Sequence, residues 1–239
     1  MSDSGSLRFL LAVDDGGEFF AASGRTLILG HLRAPSADLP FLADVDAEHA
    51  RFTLRETFHG GLRWSLSAPA SSRVLAGGRF VGETPVLLAD GDPVQLAPNL
   101  AFRFRAPDPA SGSAVLDLQS GVDCQGARHV LLFAPGAGGR VRIAARVDRL
   151  IPVPELTQEV VLEIDGSSLV VRCPGGVRVQ GGITPHAAGG VDPALELPLP
   201  PSQAIALDLG ARPAGRAPFG LTFSPVRMVA AASLRPRPA

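Results

Sequence analysis

Apolar residues occur along this chain in short runs of four to seven positions, separated by glycine, proline, aspartate or serine. Where apolar and polar positions alternate the period is two, as in Phe-Arg-Phe-Arg at residues 102–105, which places both rings on one face of a strand. No segment has the sustained 3.6-residue period of an amphipathic helix. The pattern therefore predicts an all-β protein.

The first half of the chain contains a series of predicted strands. They cover residues 7–13, 18–22, 26–29, 51–55, 62–66, 74–75, 86–88, 94–96 and 100–105. Asp-Asp-Gly-Gly at residues 14–17 forms a turn after the first strand, and Phe-His-Gly-Gly at 58–61 predicts a hairpin. Short strands joined by such turns are typical of a β-sandwich.

The second half of the chain echoes the first in the same order. Residues 24–29 resemble 139–144, 38–42 resemble 151–156, 49–54 resemble 159–164, 74–78 resemble 177–182, and 102–107 resemble 220–225. The shared order favours a degenerate tandem repeat, although ordinary strand-and-turn sequences also produce such echoes by chance. Residues 106–112 have the composition of a linker. We expect two tandem β-sandwiches, at residues 1–107 and 108–229, followed by a loose basic tail at 230–239.

The overall charge balance narrows the classes of partner. Hydrophobic residues make up 46% of the chain and charged residues 19%, and the formal net charge is −1. Such a chain lacks the general electrostatic attraction for nucleic acids or anionic membranes, so neither is an expected partner. The first residues lack the basic start of a secretory signal, and the apolar stretch at 9–13 is shorter than the ~20 residues of a membrane span. We expect a cytoplasmic protein.

Residues that could carry catalytic or metal chemistry are sparse. The chain has no lysine, which indicates a GC-rich, bacterial coding bias, and its arginines offer planar forks suited to carboxylates and phosphates. Cys124 and Cys173 show no CxxC spacing, and the sequence leaves open whether they pair. The five histidines are scattered without an HExxH pattern, so no metal or cofactor is expected. No GxSxG elbow occurs, and the glycine-rich segment at 136–139 leads into a predicted strand, so we expect no enzyme.

Five short motifs follow one another through residues 24–104. They are Gly30-His31, the segment 46–52, Trp64-Ser65-Leu66, Gly77-Gly78-Arg79, and the segment 88–92. In this order they resemble a forkhead-associated (FHA) domain. The resemblance implies an eleven-stranded β-sandwich whose loops at one end bind a phosphothreonine and its flanking peptide. It also implies protein partners, often in kinase-linked signalling or secretion assemblies.

The residues that shape the loops in the FHA family are retained. Gly30 stands at the family's glycine after the third strand, and His49 stands at the histidine that braces the binding loops. Gly78 matches the later glycine of the family's Asn-Gly turn. The resemblance therefore assigns loop-shaping roles to these three residues.

The residues that contact the ligand in the family are changed. His31 replaces the phosphate-binding arginine, Asp46 replaces the serine donor, and Ser72-Arg73 replaces the Asn-Gly pair that holds the peptide. In the second half, Glu159 stands at the place of the bracing histidine, and Ala144-Ala145 replaces the glycine pair, so this copy is degenerate.

Asp46 is the decisive departure. A phosphate carrying about −1.5 to −2 charges is repelled by a carboxylate, and two unit charges ~4 Å apart interact by about 4 kcal/mol at an effective dielectric of ~20. Near neutral pH an ordinary histidine is mostly uncharged, so His31 offers little compensation. The nearby cations are Arg33 and Arg73. Alternatively, Asp46 accepts backbone N–H groups and holds its loop as an Asx turn.

Three functions remain open from the sequence. The preferred one is a non-enzymatic adaptor that binds a protein partner after phosphothreonine recognition has weakened or been lost. The second is genuine phosphopeptide binding with Asp46 turned away, through His31, Arg33, Ser71, Ser72 and Arg73. The third is a hydrolase or carbohydrate-active β-sandwich, which requires a pocket with two carboxylates or a convergent Ser and His.

Overall fold

The structure is a computed structural model that describes residues 6–58, 60–108, 110–121, 124–136, 138–180 and 194–226. Over these residues the chain forms β-strands and no helix, which confirms the all-β prediction. The predicted tail at 230–239 and the echo at 181–182 lie outside the described residues.

The strands of the first half are β1 (Leu7–Val13), β2 (Gly17–Ser23), β3 (Thr26–His31), β4 (Leu39–Phe41), β5 (Ala50–Glu56), β6 (Leu62–Ser67), β7 (Val74–Ala76), β8 (Arg79–Val81), β9 (Val86–Leu87), β10 (Pro93–Ala97) and β11 (Leu100–Arg105). Those of the second half are β12 (Ala114–Ser120), β13 (His129–Phe133), β14 (Val141–Ala144), β15 (Ile151–Pro152), β16 (Val160–Asp165), β17 (Ser168–Arg172), β18 (Val177–Val179), β19 (Ala194–Pro198), β20 (Ile205–Leu209) and β21 (Phe219–Pro225). Most predicted strands of the first half agree with these bounds within two residues. The prediction missed β4 and β8, which are only three residues long.

The strands form three mixed sheets, and none of the sheets closes into a barrel over the described residues. The long sheet has eleven strands in the order β18-β20-β21-β1-β2-β13-β12-β11-β10-β7-β8. The first small sheet has the order β4-β3-β5-β6-β9, and the second has the order β15-β14-β16-β17-β19.

The two small sheets share one topology. Strand β3 pairs in parallel with the edge strand β4 and antiparallel with β5. In the same way, β14 pairs in parallel with the edge strand β15 and antiparallel with β16. The segments that echo each other in sequence occupy matching places: β3 and β14, β4 and β15, and β5 and β16. The echoes in the long sheet correspond as well, because β11 pairs with β12 just as β21 pairs with β1.

The small sheets pack on opposite faces of the long sheet, so the molecule has two cores. The first core lies under β3–β6 and contains Phe52 and Trp64, whereas the second lies under β14–β17 and contains Ile143 and Leu162. Strand β2 serves both cores, because successive side chains of a strand point to opposite faces. Thus Phe20 and Ala22 belong to the first core, whereas Phe19 and Ala21 belong to the second.

Each core contains a hairpin from the other half of the chain. The β1–β2 hairpin pairs with β21, and Phe9 and Leu11 of β1 are buried in the second core. The β12–β13 hairpin pairs with β11, and Leu116 and Leu118 of β12 are buried in the first core. The hairpins meet where β2 and β13 run in parallel, with Phe20 beside Val130. The division into two tandem β-sandwiches at residues 1–107 and 108–229 stays a prediction.

The segment that resembles a linker is a folded connection. Asp108 and Ser111 are buried, and the hydroxyl of Ser111 donates to the carbonyl oxygen of Arg140. The indole N–H of Trp64 donates to the carbonyl oxygen of Gly112 at 2.7 Å. These contacts join the connection to both halves, because Trp64 belongs to the first half and Arg140 precedes β14.

The two cysteines are free and buried in this structure, so the pairing that the sequence left open is not formed. Burial raises the pKa of both thiols. Within the described part of the chain, no helix exists that could serve as an apolar span across a bilayer.

A cluster of polar side chains joins β11, β12 and β13 of the long sheet. Asp117 accepts hydrogen bonds from Arg105 at 3.1 Å and from His129 at 2.8 Å. Arg105 also donates to the carbonyl oxygen of Leu150, in the second half, at 3.0 Å. Burial by itself would raise the pKa of Asp117, but the hydrogen bond from His129 and the positive charge of Arg105 together lower the pKa below its ordinary value.

The shared sheet predicts that both cores unfold together. Leu207 is fully buried in the second core, so Leu207→Ala should lower the free energy of unfolding by about 2–5 kcal/mol. Trp64, the only tryptophan, reports on the first core. In a urea titration, its fluorescence midpoint and the circular dichroism midpoint should fall by the same amount. A Trp64 midpoint that stays unchanged in the variant would contradict this expectation, and Leu87→Ala at a half-exposed position is the control.

The lowered pKa of Asp117 predicts an acid-dependent contribution to stability. The free carboxyl titrates near about 3.9, and a lower folded pKa adds stability above that pH. This contribution is lost as pH falls through the folded pKa. Asp117→Asn should therefore lower the unfolding temperature at pH 7, with the difference from the parent shrinking below about pH 4. Asp44→Asn, at an exposed position, should show no such difference, and a constant difference down to pH 2 would refute the assignment.

Candidate functional site

The predicted ligand-binding residues lie on three connections at one end of the first small sheet. These connections are β3–β4 (residues 32–38), β4–β5 (residues 42–49) and β6–β7 (residues 68–73). The backbone N–H of His31 donates to the carbonyl oxygen of Asp46 at 2.9 Å, which joins the first connection to the second. The hydroxyl of Ser72 joins the third connection to the second through Asp46.

Gly30 is required by a close crossing of two backbone segments. A Cβ atom at this position would lie 1.8 Å from the carbonyl oxygen of Ala47, closer than any real contact. The crossing is held by hydrogen bonds on either side, since His31 donates to Asp46 and the backbone N–H of His49 donates to the carbonyl oxygen of Leu29 at 2.9 Å. Any side chain at position 30 would collide with the β4–β5 connection, so only glycine allows this connection to pack against β3.

His49 fastens the same connection to the long sheet. Its imidazole is buried, and Nε2 lies 2.6 Å from the carbonyl oxygen of Leu96 in β10. The backbone N–H of Asp46 lies 3.2 Å from Nδ1 and donates to it. This pattern corresponds to the neutral tautomer with its proton on Nε2, since Nδ1 acts as the acceptor. His49 thus links the β4–β5 connection to β10, and the bracing role that the resemblance implies stays a prediction.

The carboxylate of Asp46 lies at the meeting point of the connections. Its Oδ2 is 3.5 Å from the hydroxyl of Ser72, which donates to it, and 3.6 Å from Nδ1 of His49. Ser72 is buried and its backbone N–H donates to Pro69, whereas the side chain of Asp46 is 67% exposed. The Asx-turn alternative is wrong for this residue, because among the described residues its carboxylate accepts the Ser72 hydroxyl and no backbone N–H.

The remaining predicted residues line the rim. His31 accepts the backbone N–H of Arg33 on Nδ1 at 3.2 Å. The guanidinium groups of Arg33 and Arg73 are exposed and make no hydrogen bond or ion pair with the described residues; Ser71 is also exposed. Gly78 lies apart from them, in the β7–β8 turn at the far end of β7, where its φ is +78°.

Asp46, His49 and Ser72 have the composition of a hydrolase triad but a different order. In a triad the imidazole lies between the hydroxyl and the carboxylate and takes the hydroxyl proton. Here the carboxylate lies between the hydroxyl and the imidazole, and Nε2 of His49 is engaged by the carbonyl oxygen of Leu96. The arrangement therefore does not activate Ser72 as a nucleophile.

An acidic groove beside the site was not predicted from the sequence. It has a volume of about 280 Å³ and is lined by Glu48, Glu83 and Arg51, with Pro69 at the β6–β7 connection. Arg51 lies 3.7 Å from Glu48 and offsets part of its charge. Glu83 follows β8 and is distant in sequence from the other members, so only the packing of the strands could reveal it.

The corresponding connections of the second half are filled by ion pairs. Glu159, at the place of the bracing histidine, accepts a hydrogen bond from Arg149 at 2.9 Å and lies 3.7 Å from Arg142. Arg146 binds Asp148 through two hydrogen bonds, at 2.9 and 2.7 Å. These arginines are thus engaged by acidic side chains of the same half.

Comparison with known proteins found no family model and no curated protein that matches this chain.

The backbone crossing at Gly30 predicts a local stability effect. Gly30→Ala should lower the free energy of unfolding by about 2–3 kcal/mol, because the new methyl group forces the β4–β5 connection away from β3. Gly82→Ala is the matched control, since its Cβ would meet no atom within 4 Å and the change should be neutral or stabilise by up to about 1 kcal/mol. Chemical denaturation measures both variants, and equal stabilities would show that the crossing is not rigid.

Proposed function

We propose that this protein is a non-enzymatic interaction protein built from two FHA-like β-sandwiches, with a degenerate second copy. The matching orders of the small sheets and the matching positions of the sequence echoes support a common origin of the two halves. The retained Gly30 and His49, each with a loop-shaping contact, support the FHA-like assignment of the first. In this proposal the end of the first small sheet binds a protein partner.

The observation that carries the proposal is the contact between Asp46 and Ser72. The position that would donate a hydroxyl to phosphate instead presents a carboxylate, and the hydroxyl of Ser72 is used by that carboxylate. A phosphate at this point would face repulsion of about 4 kcal/mol per close pair of unit charges at an effective dielectric of ~20. We infer that phosphothreonine recognition here is weakened or lost.

The exposed carboxylate of Asp46 favours a partner that presents a cation at this point, while Arg33 and Arg73 lie at the rim. Its carboxylate is largely exposed, and the neighbouring groove adds Glu48 and Glu83 against the single Arg51. An arginine side chain is a fitting occupant, because its planar fork forms bidentate pairs with carboxylates. The proposed ligand is therefore an unphosphorylated segment with an exposed arginine.

Genuine phosphopeptide binding is the second candidate, and the free arginines favour it. Arg33 and Arg73 are exposed without hydrogen bonds or ion pairs to the described residues, so both guanidinium groups are open to an anion. In this alternative they act with His31 and Ser72, and the carboxylate of Asp46 turns away from the phosphate.

The two candidates are separated by titrating the protein with two labelled peptide libraries and measuring fluorescence anisotropy. One library has a fixed central phosphothreonine and the other a fixed central arginine. The parent should bind the arginine library and show no saturation with the phosphothreonine library up to about 1 mM. Asp46→Ser removes the negative charge and supplies a hydroxyl, so it should weaken binding of the first by about tenfold and make binding of the second measurable.

Asp44→Ser is the matched control, since it removes one carboxylate from the same connection at an exposed position. It should behave as the parent. If the parent prefers the phosphothreonine library and Arg73→Ala abolishes that binding, the phosphopeptide candidate replaces the adaptor. If neither library binds, the first loop end is not the interaction site.

A further inference from the structure

A groove at the end of β18, β20 and β21 carries most of its charge on three arginines. We propose that this groove binds a phosphate dianion through Arg178, Arg212 and Arg216. It has a volume of about 410 Å³ and is bounded by the β20–β21 connection (residues 210–218) and by the glycines that precede β18. It belongs to the second half, so it is independent of the function proposed for Asp46.

The groove carries a net positive charge. Arg178, Arg212 and Arg216 face one acidic lining residue, Asp208, and Asp15 pairs with Arg212, which leaves a net charge of +1 among these five residues. Asp208 already accepts a hydrogen bond from the side-chain amide of Gln180 at 2.7 Å. The chain as a whole carries a net charge of −1, so the positive charge is a local property of this groove. Proteins commonly bind a phosphate group through several guanidinium groups that converge on it.

Arg212 is held in place before any ligand arrives. Its side chain is only 13% exposed, its guanidinium lies 5.7 Å from the ring centroid of Phe219, and one Nη donates to Asp15. Its Nε–H is buried and has no acceptor among the described residues. The contacts with Asp15 and Phe219 therefore fix the position of this guanidinium beside the groove.

Arg178 and Arg216 are the adjustable members of the site. Both side chains are exposed and make no hydrogen bond or ion pair with the described residues, although Asp208 lies directly across the ladder from Arg178. The two guanidinium groups can therefore turn to an anion without breaking an existing contact. Fixed and adjustable arginines together give the groove both a defined position and the donors to enclose an oxyanion.

The base of the groove is rigid because two loops touch at glycines. A Cβ on Gly175 would lie 1.9 Å from the carbonyl oxygen of Gly210, and a Cβ on Gly210 would lie 2.1 Å from that of Gly175. The two backbone segments can approach this closely only because glycine has no side chain to collide. It fixes the β20–β21 connection, which carries Arg212 and Arg216, against the segment that leads to Arg178.

The described part of the first half has no such long connection at the corresponding place. Its corresponding connection, between β10 and β11, consists of residues 98 and 99 alone, whereas the β20–β21 connection runs from 210 to 218. The extra residues bring in Arg212 and Arg216. The β20–β21 connection thus carries two arginines at a place where the first half has a two-residue turn.

The proposal is tested with the full chain by isothermal titration calorimetry, using inorganic phosphate in one arm and O-phosphoserine in the other, at low ionic strength. The double variant Arg178→Gln with Arg216→Gln should weaken binding of inorganic phosphate at least about tenfold. The double variant Arg63→Gln with Arg103→Gln is the matched control, because it removes the same charge from exposed positions of the first half that make no hydrogen bond or ion pair with the described residues. It should bind phosphate as the parent does.

The two arms identify the source of the phosphate. Equal affinity for both probes means that the site reads the phosphate group alone, and tighter binding of O-phosphoserine means that it reads a monoester. The proposal fails if the parent shows no saturable binding of either probe, or if both double variants lose affinity equally. Equal unfolding temperatures of the parent and both variants show that the losses are not losses of folding.

Discussion

The parallel pairing of β2 with β13 is the contact on which the rest of the molecule depends. It joins two hairpins, and each hairpin completes the core beneath the small sheet of the other half. Because residues alternate between the faces of a strand, Phe19 and Phe20 enter different cores although they are neighbours in sequence. Two cores built on one continuous sheet cannot separate without breaking that ladder. The pairing also explains why the small sheets lie on opposite faces.

The site at the first loop end follows from a second constraint, the approach of the β4–β5 connection to Gly30. That approach places Asp46 beside His31 and brings its carboxylate to Ser72, while His49 holds the connection from below. The scaffold thus sets where the side chain at position 46 stands, whatever that side chain is. With aspartate there, the loop end presents negative charge, and its free arginines lie at the rim. In the proposed function, the side chain at position 46 therefore decides which charge a ligand meets at this loop end.

Much of the local structure could be read from the sequence, for a physical reason. Strands such as β1 and β11 carry alternating apolar residues bounded by turns, and that period survives in any tertiary context. The strands β4 and β8 escaped detection because three residues give no period, and they are strands only because β3 and β7 offer them partners. The contacts of Gly30 and His49 lie at positions that the FHA resemblance singled out, whereas the loop-shaping roles it assigns stay a prediction. The Asx turn at Asp46 was wrong because Ser72, distant in sequence, supplies the donor instead.

The sequence by itself determined the all-β class and the bounds of most strands of the first half, since these depend on local period. Only the tertiary structure decided that the halves exchange hairpins, because β2 and β13 pair although they lie far apart in the sequence. It also decided that Asp108 and Ser111, in the segment resembling a linker, are buried, and that Glu83 and Arg212 line grooves. Such contacts depend on which faces meet in space, and no local pattern of residues records that.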